Sequence, residues 1–204
     1  MKRVCFLLLA CIALAPAARA ADPRNPDWPC VQVKVPEMSP AAVWGGPPID
    51  DVGRQWEDDA AIRDLVARLA ARRIPLEEAQ KLATEFLAAS SSGPERQQRA
   101  RLVFAGLFDT LNRLRSEVIN GIERYTRRQR EFAERVRGKI FQLRTLQDQP
   151  NADPKEIEDL SEQVQWDTRI FEDRRRTIDA VCEVPTLIEQ RLFALSRTIQ
   201  EAME

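Results

Sequence analysis

Apolar residues recur at helical spacing along two long stretches of the chain, which flank a short polar turn at residues 149–153. The apolar positions of the first stretch are Leu107, Leu111, Leu114, Val118, Ile122, Tyr125, Phe132, Val136, Ile140 and Leu143. Those of the second stretch are Ile157, Leu160, Val164, Phe171, Ile178 and Val181. This near-heptad spacing predicts two helices that pack as a coiled coil, although Asp167 and Arg174 interrupt the second stripe. Because the turn is short, we expect the helices to pack antiparallel as one hairpin.

Capping residues mark where the two predicted helices begin. The segment 153–156 supplies an N-cap aspartate, a first-turn proline and a glutamate at the third helical position. Ser92 or Gly93 can cap the earlier helix, which carries Pro94 in its first turn. We therefore expect one helix from about residue 94 to the turn, and a second from residue 154 to about residue 184.

Shorter helices are predicted on both sides of the hairpin. Residues 58–73 place an apolar face opposite a set of arginines, and residues 75–89 repeat this amphipathic pattern. The segment 185–204 continues the apolar spacing of the second long helix beyond Pro185. We expect a new helix or a kink at Pro185, because proline inside a helix removes a hydrogen bond and clashes with the preceding turn.

These patterns predict an all-α fold. The long helix around Phe104 has an apolar face wider than a two-helix contact needs, so other helices must cover it. We expect residues 56–204 to form one helical bundle from which a long antiparallel coiled-coil hairpin, residues 121–182, projects. The projecting part would extend the molecule while the bundle supplies its stability.

The segment 21–55 is rich in helix-breaking residues, with seven prolines and a Gly-Gly pair. This composition excludes a long helix and predicts an extended strap along the bundle. Val31, Val33 and Val35 alternate as in a strand, but no second strand is available to pair with them. Two interpretations of Trp28 and Trp44 are open. Their side chains fill apolar grooves of the protein itself, or they bind a partner.

Residues 1–20 have the pattern of a cleavable signal peptide, with a basic start, an apolar middle and a small-residue cleavage site ending at Ala20. We therefore expect an exported, periplasmic protein. A lipid anchor at Cys11 is the alternative, which the apolar residues after Cys11 disfavour. Without the basic residues of this segment the chain is net acidic, which argues against a nucleic-acid partner bound through phosphate neutralisation.

Two cysteines follow the predicted cleavage site, Cys30 and Cys182. In an oxidising compartment an even number of cysteines predicts an intramolecular disulfide, with free thiols or an intermolecular bond as alternatives. The bond would attach the strap to the second long helix.

The chain offers little chemistry for catalysis. It has no histidine, and it carries no phosphate-binding loop, nucleophile elbow or Cys-x-x-Cys pair. We therefore predict no cofactor, no metal site and no enzymatic activity. Carboxylates cluster at residues 57–59 and 156–159, where we expect them to cap helix starts rather than to act as acids and bases.

A basic run on the first long helix comprises Arg124, Arg127, Arg128, Arg130, Arg135, Arg137 and Lys139. One interpretation is ion pairing with acidic residues of the facing helix, between residues 163 and 179. The other is peripheral contact with anionic lipid or an acidic partner. Both interpretations remain open from the sequence.

The functional hypothesis is a non-catalytic scaffold or accessory subunit that docks a membrane-associated or multi-subunit protein of the cell envelope. The basic run and the hairpin tip from Leu146 to Ile157 are its candidate contacts. The alternative is a holdase-type chaperone, which requires homo-oligomerisation and exposed apolar surface along the hairpin. An enzyme that uses carboxylates alone is the third hypothesis.

Overall fold

The computed structural model describes residues 24–90 and 92–203. The predicted signal peptide, its cleavage site and Cys11 lie outside these ranges. Within them the regular structure is helical and contains no strand, which confirms the all-α prediction.

Four α-helices follow one another along the chain: α1, Ala60–Ala70; α2, Leu76–Ala88; α3, Gly93–Gln147; and α4, Pro154–Glu201. Short 3-10 turns at Pro40–Ala42 and Gln55–Glu57 precede them. With 55 residues, α3 is about 80 Å long at 1.5 Å per residue. These bounds lie close to those expected from the periodicity, apart from the C-terminal segment.

Side-chain caps satisfy backbone N–H groups at three helix starts. Asp59 accepts from the backbone of Ala61 and Ile62 at the start of α1, and Ser92 accepts from Glu95 at the start of α3. Asp153 accepts from the N–H of Lys155 at 2.9 Å at the start of α4. The predicted cap at the second long helix is therefore present.

Asp153→Ala is expected to lower the free energy of unfolding by about 1 kcal/mol, because the first turn of α4 loses its side-chain acceptor. Urea denaturation followed by circular dichroism measures this change. Asp148→Ala is the matched control in the same turn, since Asp148 lies at the C-terminal end of α3, where a carboxylate is unfavourable. Equal losses in both variants would contradict the capping explanation.

The main core lies where α1 and α2 cover the first part of α3 and the last part of α4; we call this part the bundle. Its largest fully buried side chains include Phe104, Leu107, Leu192 and Leu195. Trp44 stacks on Phe104 with ring centroids 4.2 Å apart. The wide apolar face of the long helix is therefore covered by the two short helices and by a tryptophan of the N-terminal segment.

Gly106 allows close packing on α3. A Cβ at this position would lie 2.7 Å from the Trp56 ring and 2.9 Å from the side chain of Val66. The glycine thus lets the 3-10 turn before α1, and α1 itself, approach the α3 backbone.

Of the two outcomes expected at Pro185, a new helix or a kink, the new helix is not formed. Instead, α4 continues through Pro185, which is itself buried. Cys182 and Ile188, on either side of it, are also buried, and Ile188 belongs to the main core together with Leu107 and Leu111 of α3. Tertiary packing therefore outweighs the unfavourable effect of proline on the helix at this position.

Contacts between α3 and α4 occur in reverse chain order. Arg115 pairs with Glu189, the Tyr125 hydroxyl donates to the carbonyl of Arg174, and Lys139 pairs with Asp167. As residue numbers rise along α3, those of their partners on α4 fall. The two helices therefore run in opposite directions where they touch.

Candidate functional site

Burial declines sharply along α3 and α4 away from the bundle. Beyond Ile122, Val136 is the single buried residue of α3. On α4, the first buried residue is Cys182, so the helix from Pro154 to Val181 contains none. We call residues 123–147 and 154–181 the distal arm. It contributes little to the core of the described molecule.

Large apolar side chains are exposed on the distal arm. Phe141 is 72% exposed and Trp166 is 63% exposed, and Ile170 is also exposed. They lie off the heptad stripes on which Tyr125, Phe132 and Phe171 are partly buried. Phe141 is not among the contact residues predicted from the sequence, although its position off the stripe is a signal that could have identified it.

Arginines lie over the aromatic rings of the distal arm. The guanidinium carbons of Arg135 and Arg174 are 5.3 and 5.1 Å from the centre of the Phe132 ring. The guanidinium carbon of Arg169 is 5.6 Å from the Trp166 ring. These distances fit cation–π attraction, which is modest at exposed sites. The arm surface therefore combines positive charge with aromatic area.

The basic run does not form the expected series of ion pairs with α4. Within the described chain, Lys139 and Asp167, 2.7 Å apart, are the pair that joins the run to α4. Arg127 and Arg130 instead pair with Asp27 of the N-terminal segment, and Arg137 pairs with Glu134 on its own helix.

Arg124 and Arg128 make no ion pair within residues 24–90 and 92–203. Their positive charge is directed to solvent. The interpretation of the run as an interhelical charge match therefore holds for Lys139 and not for the arginines.

The N-terminal segment is attached to α3 and α4 at several points over residues 27–36. Cys30 and Cys182 form the predicted disulfide. The Gln32 amide donates to the carbonyl of Cys182, and Lys34 pairs with Glu123 at 2.5 Å. These bonds place the segment at the point where the bundle meets the distal arm.

Trp28 and Trp44 are buried, with 6% and 8% of their surface exposed. Trp28 packs against Ile119 and Ile122, whereas Trp44 belongs to the main core. Their indole N–H groups donate to the carbonyls of Gln32 and Pro47. This burial favours the interpretation that both side chains fill apolar grooves of the protein itself. Neither indole is left on the surface to bind a partner.

Arg115 is a buried cation that sequence reasoning missed. Its Nε donates to Glu189 at 2.5 Å and its Nη2 to the carbonyl of Val35 at 2.6 Å. It therefore links α3, α4 and the N-terminal segment. An arginine at a single helical position gives no sequence signal for such a role, because its partners are remote in the chain.

The turn between α3 and α4 carries little apolar area of its own. Leu146 is partly buried near the end of α3, and Ile157 is partly buried in the first turn of α4. The exposed aromatic residues lie further along the arm, at positions 141 and 166. The residues most suited to contact are thus on the sides of the distal arm rather than at its tip.

Over residues 24–90 and 92–203 no group of three metal-ligating side chains comes together. Of the acidic clusters, Asp59 caps α1 and Glu156 lies in the first turn of α4. In the same part of the chain, no helix is long and apolar enough to cross a lipid bilayer.

Comparison of the chain with models of known protein families, with curated proteins and with solved structures finds no match.

Proposed function

We propose that the protein is a non-catalytic scaffold or accessory subunit of the cell envelope, exported to the periplasm, which docks a membrane-associated or multi-subunit partner. In this proposal the distal arm acts as a projecting antiparallel coiled-coil hairpin, and the N-terminal segment acts as a strap that fixes its root. The arm binds the partner and the bundle stays rigid.

The observation that supports this proposal is the exposure of Phe141 and Trp166 on an element with almost no buried residues. Long helices owe most of their stability in proteins to tertiary packing of an apolar face. The distal arm leaves that packing incomplete and presents aromatic side chains, which are enriched in the central contacts of protein interfaces. A protein partner that covers these rings would supply the missing burial.

The charge on the arm favours an acidic partner surface. Arg124 and Arg128 point to solvent without an ion pair in the described chain, and Arg135 and Arg169 lie beside exposed or partly exposed rings. Arginine beside aromatic residues is a frequent composition at binding hot spots. The same charge would also permit peripheral contact with anionic lipid head groups.

A holdase-type chaperone is the second candidate function, and the exposure of Trp166 favours it. Such a protein would bind many unfolded clients weakly through scattered apolar side chains, whereas a subunit binds one partner in fixed proportion. The two functions therefore differ in how many proteins the arm captures.

Photo-cross-linking in living cells tests this difference. A photo-reactive amino acid at position 141, followed by mass spectrometry, is expected to capture one dominant envelope protein. The same amino acid at position 193, an exposed phenylalanine of the bundle, is the control. Capture of many unrelated exported proteins at position 141 would favour the chaperone, and equal capture at both positions would contradict docking through the arm.

The double variant Phe141→Ala, Trp166→Ala is expected to weaken partner capture about 30-fold, as loss of a hot-spot aromatic does at an interface. Because both side chains are exposed, the free energy of unfolding should change by less than about 0.5 kcal/mol per site. Phe193→Ala should leave capture unchanged. Quantitative pull-down of the tagged variants from cells treated with a chemical cross-linker measures the first effect, and urea denaturation measures the second.

A further inference from the structure

Two arginines of the distal arm hold one carboxylate between them. Oδ2 of Asp27 lies 2.7 Å from Nη1 of Arg127, and Oδ1 of Asp27 contacts Nη2 of Arg130. Each carboxylate oxygen therefore has an arginine of its own. Hydrogen bonds between charged groups are shorter and stronger than those between neutral groups. We call Arg127 and Arg130 the carboxylate site, because their arrangement suits that group.

The carboxylate site is open to solvent. The side chains of Arg127 and Arg130 are 49% and 52% exposed, whereas Asp27 is 25% exposed. An ion pair at such exposure is weak, because water and salt screen it. A carboxylate from another molecule can therefore reach both guanidinium groups and take the place of Asp27.

Asp27 is kept beside the carboxylate site by the residues that follow it. Trp28 is buried in a small apolar cluster that includes Ile119, and Cys30 is disulfide-bonded to Cys182. These contacts hold the backbone near Asp27 whether or not its carboxylate is paired. The carboxylate is thus an intramolecular ligand at high effective concentration, which competes with any acidic group from outside.

Further positive charge lies next to the carboxylate site on α3. Arg124 is one helical turn before Arg127 and Arg128, so these three side chains are neighbours on the helix surface. Arg124 and Arg128 make no ion pair within the described chain. An acidic segment with several carboxylates can contact several of these arginines at once, whereas Asp27 supplies a single carboxylate.

Acidic residues of α3 do not cancel this charge. Glu123 pairs with Lys34 of the N-terminal segment at 2.5 Å. Glu131 lies one turn after Arg127 and Arg128, and it forms no ion pair in the part of the chain that the structure describes. The arginines around the carboxylate site therefore remain in excess over the acidic groups beside them.

We propose that Arg127 and Arg130 bind carboxylates of an acidic protein segment, and that Asp27 occupies this site until such a segment displaces it. The partner segment carries several Asp or Glu side chains, because a single carboxylate gains nothing over Asp27. Asp27 thus excludes weakly acidic surfaces from the arm. This inference rests on the proposed function, since it assigns the acidic contact of the partner that the distal arm docks.

Fluorescence anisotropy of the purified protein with a fluorescein-labelled hexaglutamate peptide tests the proposal. Asp27→Asn is expected to lower the apparent dissociation constant about fivefold, because the arginines are then free in every molecule. This factor corresponds to about 1 kcal/mol, the upper end of the range for exposed ion pairs.

Glu201→Gln is the matched control for Asp27→Asn. It removes the same charge and releases an exposed arginine, Arg197, at the far end of α4. It is expected to change hexaglutamate binding by less than about twofold, because screening weakens the effect of a distant charge. Absence of a gain in Asp27→Asn would overturn the proposal, as would equal gains in the two variants.

A double-mutant cycle separates a direct contact from a general effect of charge. When Arg127 and Arg130 are both replaced by glutamine, Asp27→Asn is expected to change hexaglutamate binding by less than about twofold, because Asp27 has no site left to occupy. When Arg135 and Arg137 are replaced by glutamine instead, the fivefold gain should remain. A gain that persists without Arg127 and Arg130 would overturn the proposal.

Anionic lipid is a different ligand class for the same arginines, and vesicles of phosphatidylglycerol test it. Asp27→Asn is expected to strengthen hexaglutamate binding more than vesicle binding, because the site holds a carboxylate in the native protein. If the variant gained affinity for vesicles and none for hexaglutamate, the assignment to an acidic protein segment would be wrong.

Photo-cross-linking at position 141 separates this inference from the proposed function. In cells, Asp27→Asn is expected to raise capture of the dominant partner at least about twofold at equal expression. Capture that is present but unchanged in Asp27→Asn would overturn the inference and leave docking through the arm intact. Absence of capture, together with the gain for hexaglutamate, would contradict the proposed function and leave the carboxylate site intact.

Discussion

Replacing Phe104 with alanine is expected to lower the free energy of unfolding by about 3–5 kcal/mol, the range measured for large aromatic residues removed from protein cores. Phe104 is fully buried in the bundle, and its ring contacts Trp44 at 4.2 Å and Phe108 at 6.0 Å between centroids. The helices around it are held by further buried residues, so the cavity cannot close completely. Urea denaturation followed by far-UV circular dichroism measures the loss.

The stacked pair of Trp44 and Phe104 makes a sharper test possible. Aromatic pairs contribute about 0.5–1.5 kcal/mol beyond their buried area, so a double-mutant cycle with Trp44→Ala should give a coupling energy of this size. Phe193→Ala is the control, because this exposed ring should change stability by less than about 0.5 kcal/mol. If Phe104→Ala lowered the free energy of unfolding as little as Phe193→Ala, the placement of Phe104 in the core would be contradicted.

The helices were predictable because their signals are local in the sequence. The spacing of apolar residues indicates a helical face, and Asp153 with Pro154 indicates where α4 begins. Pro185 shows the limit of such signals. Its effect depends on whether neighbouring residues such as Cys182 and Ile188 are buried against another helix, and burial is decided by the fold as a whole.

The candidate surfaces were less predictable, because they depend on partners remote in the chain. Arg127 and Arg130 pair with Asp27, which is about one hundred positions earlier, rather than with the acidic residues of α4. For example, α1 ends at Ala70, beside a cavity that Leu111, Val118 and Ile188 also line. A periodic pattern shows that a face is apolar, but it does not show which part of that face stays open.

The second large loss of stability is expected for the double variant Cys30→Ala, Cys182→Ala, which removes the disulfide. The two cysteines are separated by 152 positions, so the chain-entropy model assigns the bond about 5 kcal/mol of stabilisation. Because measured gains are commonly smaller, we expect the free energy of unfolding to fall by about 2–5 kcal/mol. This fall is measured by urea denaturation of the oxidised protein, the reduced protein and the variant.

The native helices should survive this change, since Cys30 lies outside the main core and other contacts hold the N-terminal segment. Trp28 still packs on Ile119 and Ile122, and Arg115 still donates to the carbonyl of Val35. The bond therefore acts mainly by restricting the unfolded chain. Without it the unfolded state expands, so the dependence of stability on urea concentration should become steeper while native helicity is unchanged. A fall in native helicity, or a response of the variant to reductant, would contradict this explanation.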